Sequence, residues 1–542
     1  MSKIAQDLCL WLEEEACLTA HETHGQIYTP PGPSSRYLQN QRLGMALSAW
    51  LLLPLLHLAG SGRVFDEIKQ RVLERQEQAI KEHLLLQAAS GRPLVTEGRL
   101  EQPLDHFDRQ NNRTYLQRYF VNEQFWKRRT GPVFLYIGGE AAISEFSVQG
   151  GHHVSMAQDH GALLVSLEHR FYGQSIPADG METPTLRYLS SQQALADLVS
   201  FQQNITSRYE LTPRNTWICF GGSYPGSLSA WLRGKFPHLV YGAVASSAPV
   251  RAQLDFTGYN KVVAKSLANP AVGGSDRCLS AVREGFSAVE SALASRNVTA
   301  VSRDFSCCSA VSEPEDQREL LYSLADIAMG AVQYDQEGAP LGVAQLCRIM
   351  AGNSSGADSY TRLAQLAKAY LERTAKPCLE TSHQQSVSEL RDTTLRPSGV
   401  GERQWYYQTC TEFGYYQTCE DDGCPFSRLL TLKSQTELCP LVFGLKESSL
   451  PLAVGFTNDY YGSDHPGTHR VLYVNGDIDP WHVLSVLSNA TSGERAILIH
   501  GTAHCADMNP PRPSDPPALM LARKEIEAHV AAWLQSAAQE AA

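Results

Sequence analysis

The sequence predicts an α/β protein whose mainly parallel, doubly wound sheet is interrupted by a large helical insert. Three observations carry that expectation. Short apolar runs bounded by glycine or charged turns recur between residues 132 and 249 and again between 469 and 501, the pattern of strands buried on both faces. Helical stretches alternate with the first group, and strand, helix, strand in succession builds a parallel sheet. Between the two groups, for more than 200 residues, Ala, Ser, Glu and Leu recur at helical spacing with few β-branched runs.

At the N-terminal end, residues 1–44 are polar, lack a periodic core pattern and include the loop-like stretch TPPGPSS. They are expected to form an upstream extension absent from the mature protein. Residues 45–62 form an apolar run interrupted by Pro54 and His57 and closed by small residues. A spanning helix needs about 20 apolar residues, so no stable membrane span is expected, and the layout is that of a secretory signal cleaved around residues 59–62. A signal anchor is the alternative, but only Arg42 flanks the run on that side. Five N-x-[ST] sequons follow it, at Asn112, Asn204, Asn297, Asn353 and Asn489, and none precedes it. With 11 of the 13 cysteines also following, they fit an oxidising compartment.

Strands are predicted at 132–139, 162–169, 217–222, 240–249, 469–476 and 496–501. Residues 190–206 place Ala194, Leu195, Leu198 and Phe201 at helical spacing, with Ser190 and Gln193 as a capping-box start. A helix follows the strand at 217–222, and an amphipathic helix over 518–537 closes the chain. The expected division is a sheet domain in two parts, 63–250 and 469–542, around a helical insert at 251–468. The insert holds Cys278, Cys307, Cys308, Cys347, Cys378, Cys410, Cys419, Cys424 and Cys439, so disulfides are expected there, with connectivity not deducible. The odd number leaves at least one thiol over; Cys219 and Cys505, in or beside core strands, are the choices.

Composition narrows the function classes. The 542 residues are 43% hydrophobic, enough for a large core, and the net charge of −11 repels a phosphate backbone. No Lys/Arg-rich run or Cys/His zinc spacing offsets it, so nucleic acid, metal and cofactor are not expected. Oligomeric state is not set by the sequence, and a homodimer stays open.

The chemistry sits where strands end. The strand at 217–222 runs into Gly221, Gly222, Ser223, Tyr224, Pro225 and Gly226. A serine on a sharp strand-to-helix turn must take a strained backbone, and small neighbours let the turn form and substrate approach; this is a nucleophile elbow. Pro225 and Gly226 depart from G-x-S-x-G, but proline is tolerated in a first helical turn. A serine hydroxyl needs a histidine to take its proton and a carboxylate to orient that histidine. After the two late strands come Asp477 and Asp479, then His504, in the chain order Ser, Asp, His. Spacing cannot choose between the aspartates, and His482, His106 and His169 are minor rivals to His504. The oxyanion donors expected are the Tyr224 N–H and an N–H from the turn Gly138, Gly139, Glu140, with Gly139 the assigned donor.

Together these segments resemble a known family, the serine peptidases that include lysosomal prolyl carboxypeptidase and the lysosomal dipeptidyl peptidase. The resembling stretches are LDHFD (104–108), EHRFYGQS (168–175), YLSSQQALADL (188–198), GGSYPGSLSAWLRGKFPHLV (221–240), SSAPV (246–250), QTCTEFGYYQT (408–418), NGDIDPWH (475–482) and GTAHCADM (501–508). The resemblance implies an α/β-hydrolase fold with a mainly helical cap over the site, selects Asp479 over Asp477, and places Cys505 where some relatives carry a second histidine. It implies cleavage of short or unstructured peptides near a terminus, as a dipeptidyl- or carboxypeptidase, often beside proline, in the secretory and endolysosomal pathway, in vesicles or outside the cell. Glu140, Trp405, Glu412 and Trp481 are candidates for lining the substrate site. An esterase or amidase on the same residues, and a non-catalytic binding protein of hydrolase fold, are the competing readings.

Overall fold

The computed structural model describes residues 64–87, 95–352, 356–489 and 493–541, all within the compact unit Gly60–Ala542. The predicted extension at 1–44, the signal at 45–62 and Asn353 lie outside the described residues.

The chain opens with helix α1 (Val64–Gln87) and an antiparallel pair, β1 (Val95–Pro103) and β2 (Thr114–Asn122). The strands that follow are β3 (Val133–Ile137), β4 (Leu163–Leu167), β5 (Trp217–Gly222) and β6 (Gly242–Ser246). After a two-stranded pair, β7 (Gln253–Asp255) and β8 (Gly414–Tyr416), come β9 (Val471–Gly476) and β10 (Glu494–Ile499). Eight strands form one sheet in the order β1-β2-β4-β3-β5-β6-β9-β10. From β4 to β10 every pairing is parallel, and β2 joins β4 antiparallel. That order, with the helical insertion entering between the spatial neighbours β6 and β9, is an α/β-hydrolase fold.

Alternation along each strand explains the unbroken apolar runs. Val133, Leu135 and Ile137 of β3 face one core, whereas Phe134 faces a second, smaller one on the other side of the sheet. Helix Ser191–Arg208 covers the first through Ala194, Leu195, Leu198, Phe201 and Ile205. The C-terminal helix Pro517–Glu540 covers the second through Leu519, Ala522, Ile526 and Val530. The Ser190 hydroxyl caps its helix by accepting from the Gln193 N–H at 3.3 Å. The reciprocal half of the capping box is replaced, because the Gln193 side chain donates to Asp105 and accepts from the His106 N–H.

Residues between β6 and β9 are mainly helical. Helix Pro314–Gln333 is buried almost all round from Glu319 onward: apolar residues cover most of ELLYSLADIAMGAVQ, and Glu319, Ser323, Asp326 and Gln333 make one buried polar stripe at helical spacing. Disulfides Cys278–Cys347, Cys308–Cys378, Cys410–Cys439 and Cys419–Cys424 tie these residues together. Cys219 and Cys505 are unpaired as expected, and Cys307 joins them because its neighbour Cys308 takes Cys378. Among the described residues no helix is long and apolar enough to cross a membrane.

Candidate active site

Strand β5 delivers Ser223 onto the N-terminus of helix Tyr224–Lys235 with φ 62° and ψ −134°, a conformation that costs a non-glycine residue about 1–3 kcal/mol. The turn is pinned from behind: the Ser223 N–H donates to the Ser246 carbonyl of β6 at 2.9 Å. A Cβ on Gly221 would come to 2.2 Å from the Pro225 carbonyl oxygen, and one on Gly226 to 2.7 Å from that of Ser246, so the elbow closes only with glycine at both places. Tyr224 is the first helical residue, whose N–H has no acceptor within the helix. Gly139 is in contact with this helix start, since a Cβ there would meet Pro225 Cγ at 2.2 Å.

The two late strands bring up the remaining partners. Asp479 follows β9 and is fully buried; one carboxylate oxygen accepts from the Trp481 N–H at 3.0 Å and lies 2.9 Å from His504 Nδ1. The His504–Asp479 contact is a close charge pairing rather than a well-aligned hydrogen bond, a looseness common in unliganded sites. Burial pushes the His504 pKa down, but the Asp479 carboxylate outweighs it and holds the imidazole well above its ordinary range. His504 and Ser223 line one cavity of about 270 Å³, together with Gly139, Glu140, Tyr334 and Cys505.

Asp477 has a different environment. Its carboxylate accepts from the Gly501 N–H at 2.7 Å and pairs with the exposed His500 at 2.9 Å, the work of a turn-forming residue. The rival histidines are likewise occupied elsewhere. His106 pairs with Asp197, which is itself held by the Arg170 guanidinium. His482 Nδ1 meets the Asp479 backbone carbonyl. His169 has Nδ1 on the Arg170 carbonyl and Nε2 on the Tyr224 hydroxyl, and burial lowers its pKa to about 4.

A second cavity of about 120 Å³ opens on the other side of Ser223, lined by Trp405, Trp481, Tyr415, Asp326 and, again, Glu140 and Tyr334. Trp405, Trp481 and Glu140 thus share this cavity with Ser223, whereas Glu412 does not line it. Its carboxylate accepts from the Ser191 N–H at 2.9 Å and hydroxyl at 2.6 Å and from Gln408 at 3.2 Å. It is 5% exposed and faces a separate cavity of about 200 Å³ that Ser223 does not line. Burial, only partly offset by these donors, raises its pKa to about 7. Gln408 also donates to the Tyr224 hydroxyl at 3.2 Å, so Glu412 braces the wall behind the elbow; an acidic residue among aromatics gave no sign of which way it pointed.

Several residues of the site were not singled out from the sequence. Gln333, at the end of its buried helix, accepts from Trp481 Nε1 at 2.8 Å, and its carbonyl accepts from the His504 N–H at 3.0 Å. Ser247 accepts from the Cys505 N–H at 2.9 Å, and Ser246 donates to the buried Asp507 at 2.5 Å. Lys69 of α1 reaches Glu140 at 3.7 Å. The SSAPV stretch could have pointed to Ser246 and Ser247; Gln333 and Lys69 carry no motif. Among the described residues no group of three His, Cys, Asp or Glu side chains is arranged to hold a metal ion.

With this geometry in place, residues 102–526 match the family model described as serine carboxypeptidase S28. The chain belongs to that family. It is a serine-type peptidase, and its relatives agree: it is 46% identical over 501 residues to thymus-specific serine protease of Homo sapiens, covering 91% of this chain and 98% of the relative. The Mus musculus protein of that name is 49% identical over 81% of this chain and 87% of its own length. Lysosomal Pro-X carboxypeptidase of Mus musculus is 28% identical, with 80% and 88% covered. Among solved structures, proline iminopeptidase of Mycobacterium smegmatis aligns over 82% of this chain and all of its own with a TM-score of 0.34 and 13% identity.

Proposed function

We propose that this S28 peptidase hydrolyses peptide bonds through an acyl-enzyme formed on Ser223, with His504 as general base and acid and Asp479 as the orienting carboxylate. The observation that carries the reading is the convergence of a strained serine with a buried histidine–carboxylate pair on one cavity. Ser223 Oγ attacks the scissile carbonyl and His504 takes its proton. The carbonyl oxygen, now negative, faces the N–H groups of Tyr224 and Gly139. As the C–N bond breaks, His504 returns the proton to the leaving amine; water then enters, activated by the same imidazole, and frees the acid and Ser223.

The substrates are short or unstructured peptides attacked near a terminus, in the manner of a dipeptidyl- or carboxypeptidase. The 251–468 insert supports this: with α1 it walls the two cavities beside Ser223, and a folded substrate must bring its scissile carbonyl to about 3 Å from the serine. Trp405, Trp481 and Glu140 line the walls the peptide meets. A preference for bonds beside proline follows from the printed name of the Pro-X carboxypeptidase relative. Four disulfides and the sequons at Asn112, Asn297 and Asn489, all exposed, with Asn204 half-buried, support a glycosylated protein of the secretory and lysosomal pathway that begins near residues 60–63.

Digestion of a mixed peptide library beside a folded protein, read by mass spectrometry, tests the reading. Terminal products from the peptides and none from the folded protein are expected. Rapid internal cleavage of the folded protein would overturn the exopeptidase assignment.

A further inference from the structure

Helix α1 lies outside residues 102–526, which define the family, yet it forms part of both cavities that flank Ser223. It is fixed at each end. Near its start, Glu67 pairs with Lys376 and accepts from the Tyr370 hydroxyl, and Arg71 donates to the Thr374 carbonyl. Toward its other end Glu77 accepts from the Ser144 hydroxyl, and Ile80 packs so closely on Gly150 that a Cβ there would meet it at 2.6 Å. Between these anchors Lys69 extends toward the site. Its ammonium is 3.7 Å from a Glu140 oxygen and 5.9 Å from the centre of the Trp405 ring.

Glu140 sits next to Gly139, the proposed oxyanion donor, and is 8% exposed. Its backbone is pinned by the Gly401 N–H at 2.9 Å. A carboxylate this close to the place where negative charge develops opposes the reaction unless a cation balances it. Burial first, then Cys505 and after it Glu140, raises the phenol pKa of Tyr136 to about 12 and that of Tyr334 well above the ordinary value. The charged and titratable groups facing the two cavities and His504 are Asp66, Lys69 and Glu77 of α1, Tyr136, Glu140, His153, Asp326, Tyr334, Glu402, Tyr406, Tyr415, Tyr416, Asp479, Cys505 and Asp507. Apart from histidine, Lys69 is the one cation among the described residues that line either cavity.

We infer that α1 is part of the active site and that Lys69 is a positioning residue, neutralising Glu140 beside the Gly138 and Gly139 turn so that the oxyanion forms in a site free of opposing charge. The inference rests on the Ser223 acyl-transfer reading above.

A double-mutant cycle tests it. Lys69→Met should lower kcat on a short peptide about tenfold with KM changed less than about threefold, since the interaction matters most when the oxyanion forms. It should also raise the midpoint of the acid limb of kcat by roughly half a pH unit, because an uncompensated carboxylate favours protonated His504. Lys69→Arg should restore both, and in a Glu140→Gln background Lys69→Met should change kcat less than about twofold. An equal loss in both backgrounds, or a Lys69→Met enzyme with the parent kcat and pH profile, overturns the inference. Melting temperatures of the purified variants identify any loss that comes from misfolding, and Lys69→Arg then decides. Fluorophosphonate labelling of the unmutated enzyme separates the two levels: no label on Ser223 defeats the acyl-transfer reading itself, whereas a labelled enzyme without coupling defeats only the role of Lys69.

Discussion

The sheet and the helical insert contribute to one site by different means. The sheet places chemistry by local rules: Ser223 sits where β5 becomes a helix, Asp479 just past β9, and His504 in the loop after β10. Each position is a strand end, where backbone geometry alone aims a side chain out of the core. The insert places walls by packing. Gln333 reaches both Trp481 and the His504 backbone because it ends the narrow polar stripe of an otherwise apolar, buried helix, the stripe whose Asp326 and Gln333 meet the cleft. In the proposed mechanism proton transfer then depends on a few atoms held by the sheet, and the insert acts on the reaction through those atoms.

If that division is right, the largest effects belong to the sheet residues. Ser223→Ala, His504→Ala and Asp479→Asn should each cost about 10³-fold or more in kcat while secretion is retained, since the three act as a unit. Asp477→Asn should cost less than about fivefold, as its carboxylate only closes a turn with Gly501 and His500. A dead Asp477→Asn enzyme beside an active Asp479→Asn one would reverse the assignment. Gln333→Leu, the corresponding break in the insert, keeps the backbone carbonyl that holds the His504 N–H but removes the side-chain acceptor of Trp481 Nε1 and the Tyr259 hydroxyl, and should cost about tenfold by letting Trp481 shift. A loss equal to that of Ser223→Ala would mean the insert takes part in the chemistry directly.

The pH profile sharpens the comparison further. His504 must be neutral to accept the serine proton, and its pKa stands above 6.5. Activity should therefore fall as pH drops through that raised value, with an acid midpoint above 6.5 in kcat/KM; a midpoint near 5 would show that Asp479 does not hold the imidazole as described.

The smallest effect is on stability and lies behind the elbow. Glu412 has a folded-state pKa of about 7 against 4.5 when unfolded, so the folded protein binds the extra proton. Its contribution is fully present below about 4.5 and is lost as pH rises through 7, by a few kcal/mol at most. Glu412→Gln should accordingly shrink the drop in melting temperature between pH 5.5 and 8, and an unchanged drop would place the titration elsewhere.

Legibility divided along the same line. Strands β3, β4, β5, β6 and β9 were readable because burial on both faces leaves almost no polar residue in the run, β10 because residues 496–499 stay apolar although its edge position exposes Arg495 and Leu498, and the elbow because glycine and serine at a strand end have few other uses. The choice between Asp477 and Asp479 came from resemblance, not spacing; Asp479 lies against His504, and Asp477 against Gly501 and His500. Strands β1 and β2 escaped notice because an edge strand such as β1 carries exposed charged residues in alternation. Helix α1 escaped because its apolar positions, Val64, Ile68 and Val72 among them, are separated by charged and amide residues and follow directly on the apolar run at 45–62. Where Glu412 points was not legible for the opposite reason: its partner Ser191 is 221 residues away, a pairing that no local pattern encodes.

The central claim is that Ser223 is a nucleophile activated by His504. The direct measurement is exposure of the purified protein and its His504→Ala variant to a fluorophosphonate, with the modified peptide identified by mass spectrometry. A single adduct on Ser223, formed in the parent and slowed about 10³-fold or more in the variant, is the predicted result. Labelling at another serine, or at Ser223 at the same rate without His504, would contradict it.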